Sequence, residues 1–162
     1  MKDIMAKKDK TNAMRLLDAK KIRYKEHFYD ADGSTSGAEV AAMLGENPDK
    51  VFKTLVTVGK SGAHYVFDVP VEKELDLKKA ASYVGEKSVE MVKSKELLGL
   101  TGYIHGGCSP LGMKKFFTTT FHKTAKDFDT ILVSGGKIGF QIELTPGDLE
   151  KAISFTYADI IK

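Results

Sequence analysis

The sequence predicts an α+β protein with a mixed, largely antiparallel sheet and helices packed around it. Two segments rich in β-branched residues, 51–58 and 64–69, flank the turn residues 59–62, and a second pair, 131–134 and 137–144, flanks Gly135 and Gly136. Both patterns are typical of β-hairpins. Because hairpins outnumber plausible βαβ crossovers, the pattern favours this architecture over a doubly wound parallel sheet.

The remaining elements follow from apolar spacing and from cap residues. Helices are predicted for residues 12–22 after Thr11, 36–44 before Gly45, 76–84 before Gly85, 94–98 with Ser94 as cap, and 145–153 with Pro146 in the first turn. Short strands are predicted at 24–29, 88–92, 103–105 and 116–121. Residues 30–34, with the sequence DADGS, are predicted to form a turn, because Asp, Gly and Ser are typical turn residues.

Length and composition indicate one globular domain over residues 1–162. Hydrophobic residues make up 42% of the chain, and a chain of 162 residues buries about two-thirds of its unfolded surface. No apolar run approaches the roughly 18 residues of a membrane span, and the N-terminus lacks a secretory pattern. With one cysteine and no such signal, the sequence predicts a cytoplasmic protein.

The charge pattern excludes a protein that wraps many phosphates. The formal net charge is only +3, and the lysines are spread along the chain apart from the small basic start at Lys7, Lys8 and Lys10. A strongly basic stripe is typical of extensive nucleic-acid binding. Contact with a few phosphates remains compatible with this charge.

No metal or cofactor is expected. The four histidines lie far apart in the sequence, with neither HxH nor HExxH spacing, and the single cysteine cannot form a thiolate site. Cys108 instead raises the question of a nucleophile, since His105 and Lys114 are near in sequence. Cysteine is also among the most buried residue types, which favours a structural role.

Two glycine-rich stretches and one lysine are the other candidates. Gly106 and Gly107 permit positive φ and let a ligand approach main-chain N–H groups, as in oxyanion holes, and residues 109–112 turn the chain again. Residues 134–137, with the sequence SGGK, are a predicted hairpin turn that also contains two adjacent glycines. Lys53 lies between apolar neighbours on its strand face, where a lysine either extends to solvent or points into a cavity.

In this order, the segments FKTL (52–55), LKKA (77–80), TGY (101–103), GGCSPLG (106–112) and VSGGK (133–137) resemble the YbaK family of aminoacyl-tRNA deacylases. That family is related to the editing domain inserted in bacterial prolyl-tRNA synthetases. The likeness runs from about residue 14 to residue 161. It implies an α+β fold whose curved sheet, or barrel, surrounds a pocket.

The resemblance also implies a trans-editing activity that removes cysteine from tRNA for proline, with cysteinyl-tRNA for cysteine as an additional substrate. Prolyl-tRNA synthetase is the implied partner, and the substrate is the acceptor end of the aminoacylated tRNA. The thiol of the misattached cysteine would attack its own ester, so the enzyme needs no nucleophile and proximity supplies the rate. Other members of the family activate water to remove alanine.

Residue roles carry over from the family by position. Lys53 matches the essential lysine, and the main chain of Gly106 and Gly107 matches the loop that holds the substrate. The substrate-binding positions implied by the resemblance are Tyr29, Ser109, Ser134 and Gly135. Ser36 stands where close relatives often carry an aromatic residue, and Cys108 stands where relatives usually carry an aliphatic one.

Three alternatives remain open at the level of sequence. The first is hydrolytic editing of alanine on tRNA for proline. The second is a hydrolase or acyltransferase that uses Cys108 with His105. The third is a non-catalytic module that binds the tRNA end or a synthetase.

Overall fold

A computed structural model describes residues 10–32 and 34–162 of the chain. The predicted basic residues Lys7 and Lys8 and the turn residue Gly33 lie outside the described residues. Within them the chain forms five α-helices and eight β-strands, which confirms the predicted α+β class.

All five helices begin within one residue of the predicted starts, but the first ends three residues earlier and the fourth three residues later than predicted. They are α1 (Asn12–Ala19), α2 (Gly37–Leu44), α3 (Leu77–Val84), α4 (Ser94–Thr101) and α5 (Pro146–Ala152). The Thr11 side chain accepts a hydrogen bond from the Met14 N–H, and Ser36 forms a capping box with Glu39. These caps satisfy N–H groups that have no partner inside a helix.

The strands form two sheets. They are β1 (Lys25–Phe28), β2 (Phe52–Gly59), β3 (His64–Pro70), β4 (Val89–Met91), β5 (Thr118–His122), β6 (Ile131–Ser134), β7 (Phe140–Leu144) and β8 (Thr156–Ala158). The larger sheet has the order β4-β2-β3-β5-β8 and the smaller one β1-β7-β6. The β3–β5 and β5–β8 pairs are parallel, and all other pairs are antiparallel.

The two sheets meet at an isolated parallel bridge between Val51 and Leu132. Of the two expected forms, curved sheet or barrel, the described strands do not close into a barrel. The largest core cluster lies between the small sheet, β5 and helices α1 and α5, and it contains Phe52, Phe121 and Phe140. A second cluster packs α3 on the other face of the large sheet.

Several sequence predictions were wrong in detail. Residues 103–105 form no strand, because Gly102 ends α4 with φ 83° and a turn follows at once. The N-cap of α4 is Lys93 rather than Ser94, which is the first helical residue. Strand β8 was missed, since its pairing partner β5 lies more than 30 residues earlier in the chain.

None of the helices in residues 10–32 and 34–162 has the length and apolar character needed to cross a membrane.

Gly135 marks a close approach that constrains the β6–β7 turn. A Cβ atom at this position would overlap the ring of Phe140, which is fully buried. We therefore expect Gly135→Ala to lower the free energy of unfolding by about 1–3 kcal/mol, since overpacking forces neighbouring groups to shift. Urea denaturation measures the change.

Gly99 supplies the matched control, because it lies in α4 and a Cβ there meets no heavy atom within 4 Å. Gly99→Ala should raise the free energy of unfolding by about 0.5–1 kcal/mol, as is typical of glycine inside a helix. Equal effects of the two substitutions would contradict the packing argument.

Candidate functional site

A cavity of about 270 Å³ opens beside the N-terminal half of β2. Its wall combines this strand with the start of α2, the segment 91–97 before and within α4, the loop around Gly106, Tyr29 just after β1, and residues from β6 and β7. The lining residues that bear on its chemistry are Tyr29, Ser36, Lys53, Thr54, His105, Gly106, Cys108, Ser134 and Gln141. The cavity therefore unites segments that are more than 100 residues apart.

The cavity exists because β4 is much shorter than β2. Strand β4 pairs only with Thr57–Gly59, and Leu132 of β6 bridges Val51 just before β2. Among the described residues, the stretch of β2 between these two points has no strand partner on the side away from β3. The Val56 carbonyl accepts from Val92 N–H at 3.1 Å, whereas the Val51 carbonyl accepts from Val71 N–H on the β3 side. Because peptide groups alternate along an antiparallel strand, the N–H and C=O of Thr54 face the cavity.

Lys53 lies in this wall, half-buried, opposite Val69 of β3. Burial lowers the pKa of its ammonium group, and the charge of Glu74 opposes that shift to a smaller degree. The side chain therefore lines the cavity instead of lying freely on the surface. A partly desolvated cation there interacts more strongly with an anionic ligand than a fully exposed lysine does.

The two glycines of the loop differ in their surroundings. Gly106 is exposed, lines the cavity with φ 88°, and its N–H has no hydrogen-bond partner among the described residues. The Gly107 N–H already donates to the Ile104 carbonyl at 3.0 Å. A Cβ on Gly107 would come within 2.9 Å of the Lys137 Cα, so this glycine is required by packing.

Ser109 and Gly135 lie outside the cavity wall. The Ser109 side chain is fully buried, and its Oγ accepts from the Leu111 N–H at 3.2 Å within the same turn. The Gly135 N–H donates to the Phe140 carbonyl at 2.9 Å. Both residues stabilise the loops that carry Gly106 and Ser134 and offer no group to a ligand in the cavity.

Three polar side chains from the small sheet face the cavity. The Ser134 Oγ accepts from the Gly136 N–H at 3.2 Å, and the Tyr29 hydroxyl accepts from Gln141 Nε2 at 3.4 Å. The Gln141 Oε1 is buried and has no partner among the described residues. Sequence reasoning missed Gln141, although its position opposite Ser134 in the β6–β7 hairpin places both side chains on one face.

Cys108 is buried against Val56, Val66 and Leu97. Burial raises the pKa of its thiol to about 12, and the nearby charge of Asp68 acts in the same direction. Because the thiolate is the reactive form of cysteine, this environment suppresses nucleophilic attack. The side chain contributes an apolar surface to the cavity, as a small hydrophobic residue would.

One cluster of potential metal ligands lies elsewhere, at the outer end of β1 and β7. Side-chain atoms of His27, Glu46 and Glu143 lie within 4.8 Å of one another. The Lys50 ammonium occupies the same cluster, 3.5 Å from Glu143 and 3.9 Å from Glu46, and His27 Nε2 is 2.7 Å from Glu143. The lysine already compensates the carboxylates, so the donor set fits an ion-pair network better than a cation site.

Comparisons with known proteins identify relatives of this chain. The model of the aminoacyl-tRNA editing domain matches residues 30–152. An Enterococcus faecalis protein named "Putative Cys-tRNA(Pro)/Cys-tRNA(Cys) deacylase EbsC" is 46% identical over 160 residues, covering 96% of this chain and 98% of the relative. A proline–tRNA ligase of Pelobacter propionicus is 32% identical over 78 residues, 48% of this chain and 14% of the ligase.

Solved structures share the fold. The structure described as "a putative trans-editing enzyme for prolyl tRNA synthetase" superimposes with a TM-score of 0.83 at 24% identity, over 93% of this chain and 95% of that one. The hypothetical protein APE2540 gives a TM-score of 0.84 at 22% identity, over 93% and 99%. The chain belongs to the aminoacyl-tRNA editing domain family, which confirms the YbaK-type resemblance and the expectation of an enzyme that acts on aminoacyl-tRNA.

Proposed function

We propose that this chain, acting as one domain over residues 1–162, is a trans-editing deacylase that removes cysteine from tRNA for proline. The observation that carries the proposal is the cavity, which brings Lys53, Gly106, Ser134 and Tyr29 into one wall although they come from four separate segments. The near full-length similarity to EbsC, whose name specifies cysteinyl-tRNA of proline and cysteine, supports this substrate. Cysteinyl-tRNA for cysteine is a second substrate of the same chemistry.

The reaction uses the substrate's own nucleophile. The cysteine sulfur forms a bond to the ester carbonyl carbon, the ester C–O bond breaks, and the thiol proton passes to the departing ribose oxygen. The products are free tRNA and a cyclic thioester. Holding the thiol and the ester in one small cavity replaces a bimolecular attack by an intramolecular one. The suppressed reactivity of Cys108 supports a mechanism that needs no enzyme nucleophile.

The oxyanion that develops on the carbonyl requires a hydrogen-bond donor. Gly106 supplies a main-chain N–H that has no partner among the described residues, whereas the Gly107 N–H is engaged by Ile104. A preorganised donor of this kind contributes about 3 kcal/mol to transition-state stabilisation. We therefore assign the oxyanion contact to Gly106, and to Gly107 the packing that holds the loop in place.

The remaining residues bind and orient the acceptor end. Lys53 provides the positive charge for a phosphate and for the developing negative charge, and Tyr29, Ser134 and Gln141 provide polar contacts. Ser109 and Gly135 act through the loops that they stabilise. The walls near Val40, Val71 and Leu97 are apolar and suit a small side chain.

The protein is proposed to work in the cytoplasm together with prolyl-tRNA synthetase. An acceptor end presents few phosphates, which agrees with the modest formal charge of +3. Because a cavity that recognises only this end has little means of identifying the tRNA, a synthetase that binds the rest of the tRNA would supply selectivity. The partial match to a proline–tRNA ligase supports this partner.

Purified protein should release cysteine from Cys-tRNA(Pro) much faster than alanine from Ala-tRNA(Pro), because only cysteine carries the internal nucleophile. Single-turnover assays with labelled tRNA measure both rates, and mass spectrometry of the released amino acid detects the thioester-derived product. Faster release of alanine would favour hydrolytic editing. Binding of both substrates without release of either would favour the non-catalytic alternative.

Lys53→Ala should reduce kcat/KM for Cys-tRNA(Pro) by about 100-fold or more, because a half-buried cation is lost from the cavity. In the native protein the alkaline limb of the pH–rate profile should fall at a lower pH than for an ordinary lysine, since burial lowers the Lys53 pKa. Lys60→Ala is the matched control, because Lys60 is exposed in the β2–β3 turn. A comparable loss in both variants would argue against a specific role.

Cys108→Ala should leave deacylation within about twofold of the native rate, because the buried Cys108 thiol takes no part in this mechanism. The same assay and a thermal melt, which controls for folding, are sufficient. Complete loss of activity in a folded variant would instead support the nucleophile hypothesis with His105.

A further inference from the structure

A carboxyl group lies buried in the middle of the large sheet, directly behind the cavity wall. Asp68, in β3, is fully buried. Its Oδ1 accepts a hydrogen bond from the Thr54 hydroxyl at 2.5 Å, and its Oδ2 has no partner among the described residues. Burial raises the pKa of this carboxyl well above its ordinary value, and the Thr54 hydrogen bond opposes the shift.

Stability does not explain an acid at this position. A buried polar atom without a partner costs about 1–3 kcal/mol, and the immediate neighbours on the strand, Phe67 and Val69, are fully buried apolar residues. A valine at position 68 would remove the unpaired oxygen. Perturbed titratable groups that cost stability are found preferentially at functional sites.

Asp68 does not line the cavity itself, but it interacts with two residues that do. Thr54, its hydrogen-bond partner, lines the cavity, and so does Cys108, whose pKa is raised in part by the charge of Asp68. Thr54 and Asp68 are directly opposite each other in the β2–β3 register, so their side chains share one face of the sheet. Asp68 therefore forms a second layer behind this part of the wall.

The hydrogen bond determines what Thr54 offers to a ligand. A hydroxyl group has one proton and two acceptor positions. Since the proton is donated to Asp68 Oδ1, the Thr54 oxygen is left as an acceptor. This holds for the ionised carboxylate and for a carboxyl that carries its proton on Oδ2, because Oδ1 accepts in both states. A proton on Oδ1 would instead be donated to the Thr54 oxygen, so the acceptor role of Thr54 requires one of the first two states.

The aminoacyl group of the proposed substrate has one cationic donor, its α-ammonium group. We propose that Asp68 is a positioning residue that keeps the Thr54 hydroxyl oriented as an acceptor for this α-ammonium group. The cavity-facing carbonyl of Thr54 lies beside the same hydroxyl and offers a second acceptor. This inference rests on the proposed deacylase function and adds to it a determinant of how the amino acid is oriented.

The test compares two substrates that differ only in the amine. One is Cys-tRNA(Pro), and the other is tRNA(Pro) chemically acylated with 3-mercaptopropionate, which keeps the thiol and lacks the α-amino group. For the native protein, kcat/KM should be about tenfold higher for the cysteinyl substrate, the size expected of one charge-assisted hydrogen bond. Absence of turnover with Cys-tRNA(Pro) would overturn the proposed function and this inference with it.

Variants at positions 68 and 54 then distinguish an effect on the orientation of the Thr54 hydroxyl from a general disturbance of the fold. Asp68→Val frees the Thr54 hydroxyl and should reduce the preference for the amine towards unity. Asp68→Asn should retain it, because the amide oxygen accepts the same hydrogen bond. Thr54→Val should lose the preference for the substrate with the amine, whereas Thr54→Ser should keep it. The Asp68→Val/Thr54→Val double variant should lose no more of this preference than either single variant.

Thermal melts confirm that each variant is folded, and Thr54→Val carries the test if Asp68→Val fails to fold. A folded Asp68→Val or Thr54→Val protein with the native preference would overturn the inference, whatever its absolute rate. Loss of the preference in Asp68→Asn would also overturn it, because a neutral acceptor would then be insufficient.

Discussion

The candidate site depends on one mismatch in strand length. Strand β4 covers only three of the eight residues of β2, so among the described residues the stretch of β2 between this pairing and the Val51–Leu132 bridge lacks a strand partner on one side. Unpaired backbone groups at a sheet edge must be satisfied by water, a ligand or another strand. Here the edge forms the floor of a cavity, which gives a substrate both main-chain groups at Thr54 and the charge of Lys53.

Glycines in the two flanking loops serve different purposes. Gly106 presents an N–H in a backbone conformation that other residues rarely adopt. Gly107 and Gly135 instead allow close packing, the first against the main chain at Lys137 and the second against the Phe140 ring. The loops that carry Gly106 and Ser134 therefore pack against each other, and both residues line the cavity. The glycine-rich loop thus combines one glycine that lines the cavity with one that packs against the neighbouring loop.

The polar residues in and behind the cavity differ in how far they are exposed to solvent. Lys53 is half-buried and His105 is exposed, whereas Gln141 and Ser134 are buried and Asp68 is fully buried behind Thr54. Among the described residues, the buried Asp68 carboxyl makes a single hydrogen bond, so its burial lowers the free energy of unfolding. This cost is present before any ligand binds. Such an arrangement sacrifices some stability for orientation, as is common at sites that must position a small group.

Local chemistry alone determined much of this protein. The Thr11 cap, the glycines at 45 and 85, and the turns at 59–62 and 135–136 predict most helices and both hairpins, because they act within a few residues. The ordered motifs also identified the family. Only the tertiary structure revealed the parallel pairing of β5 with β3 and β8, since such pairing joins distant segments. It likewise separated Gly106 from Gly107, removed Ser109 and Gly135 from the cavity, and added Gln141 and Asp68, because burial and hydrogen-bond partners arise only when distant strands pack together.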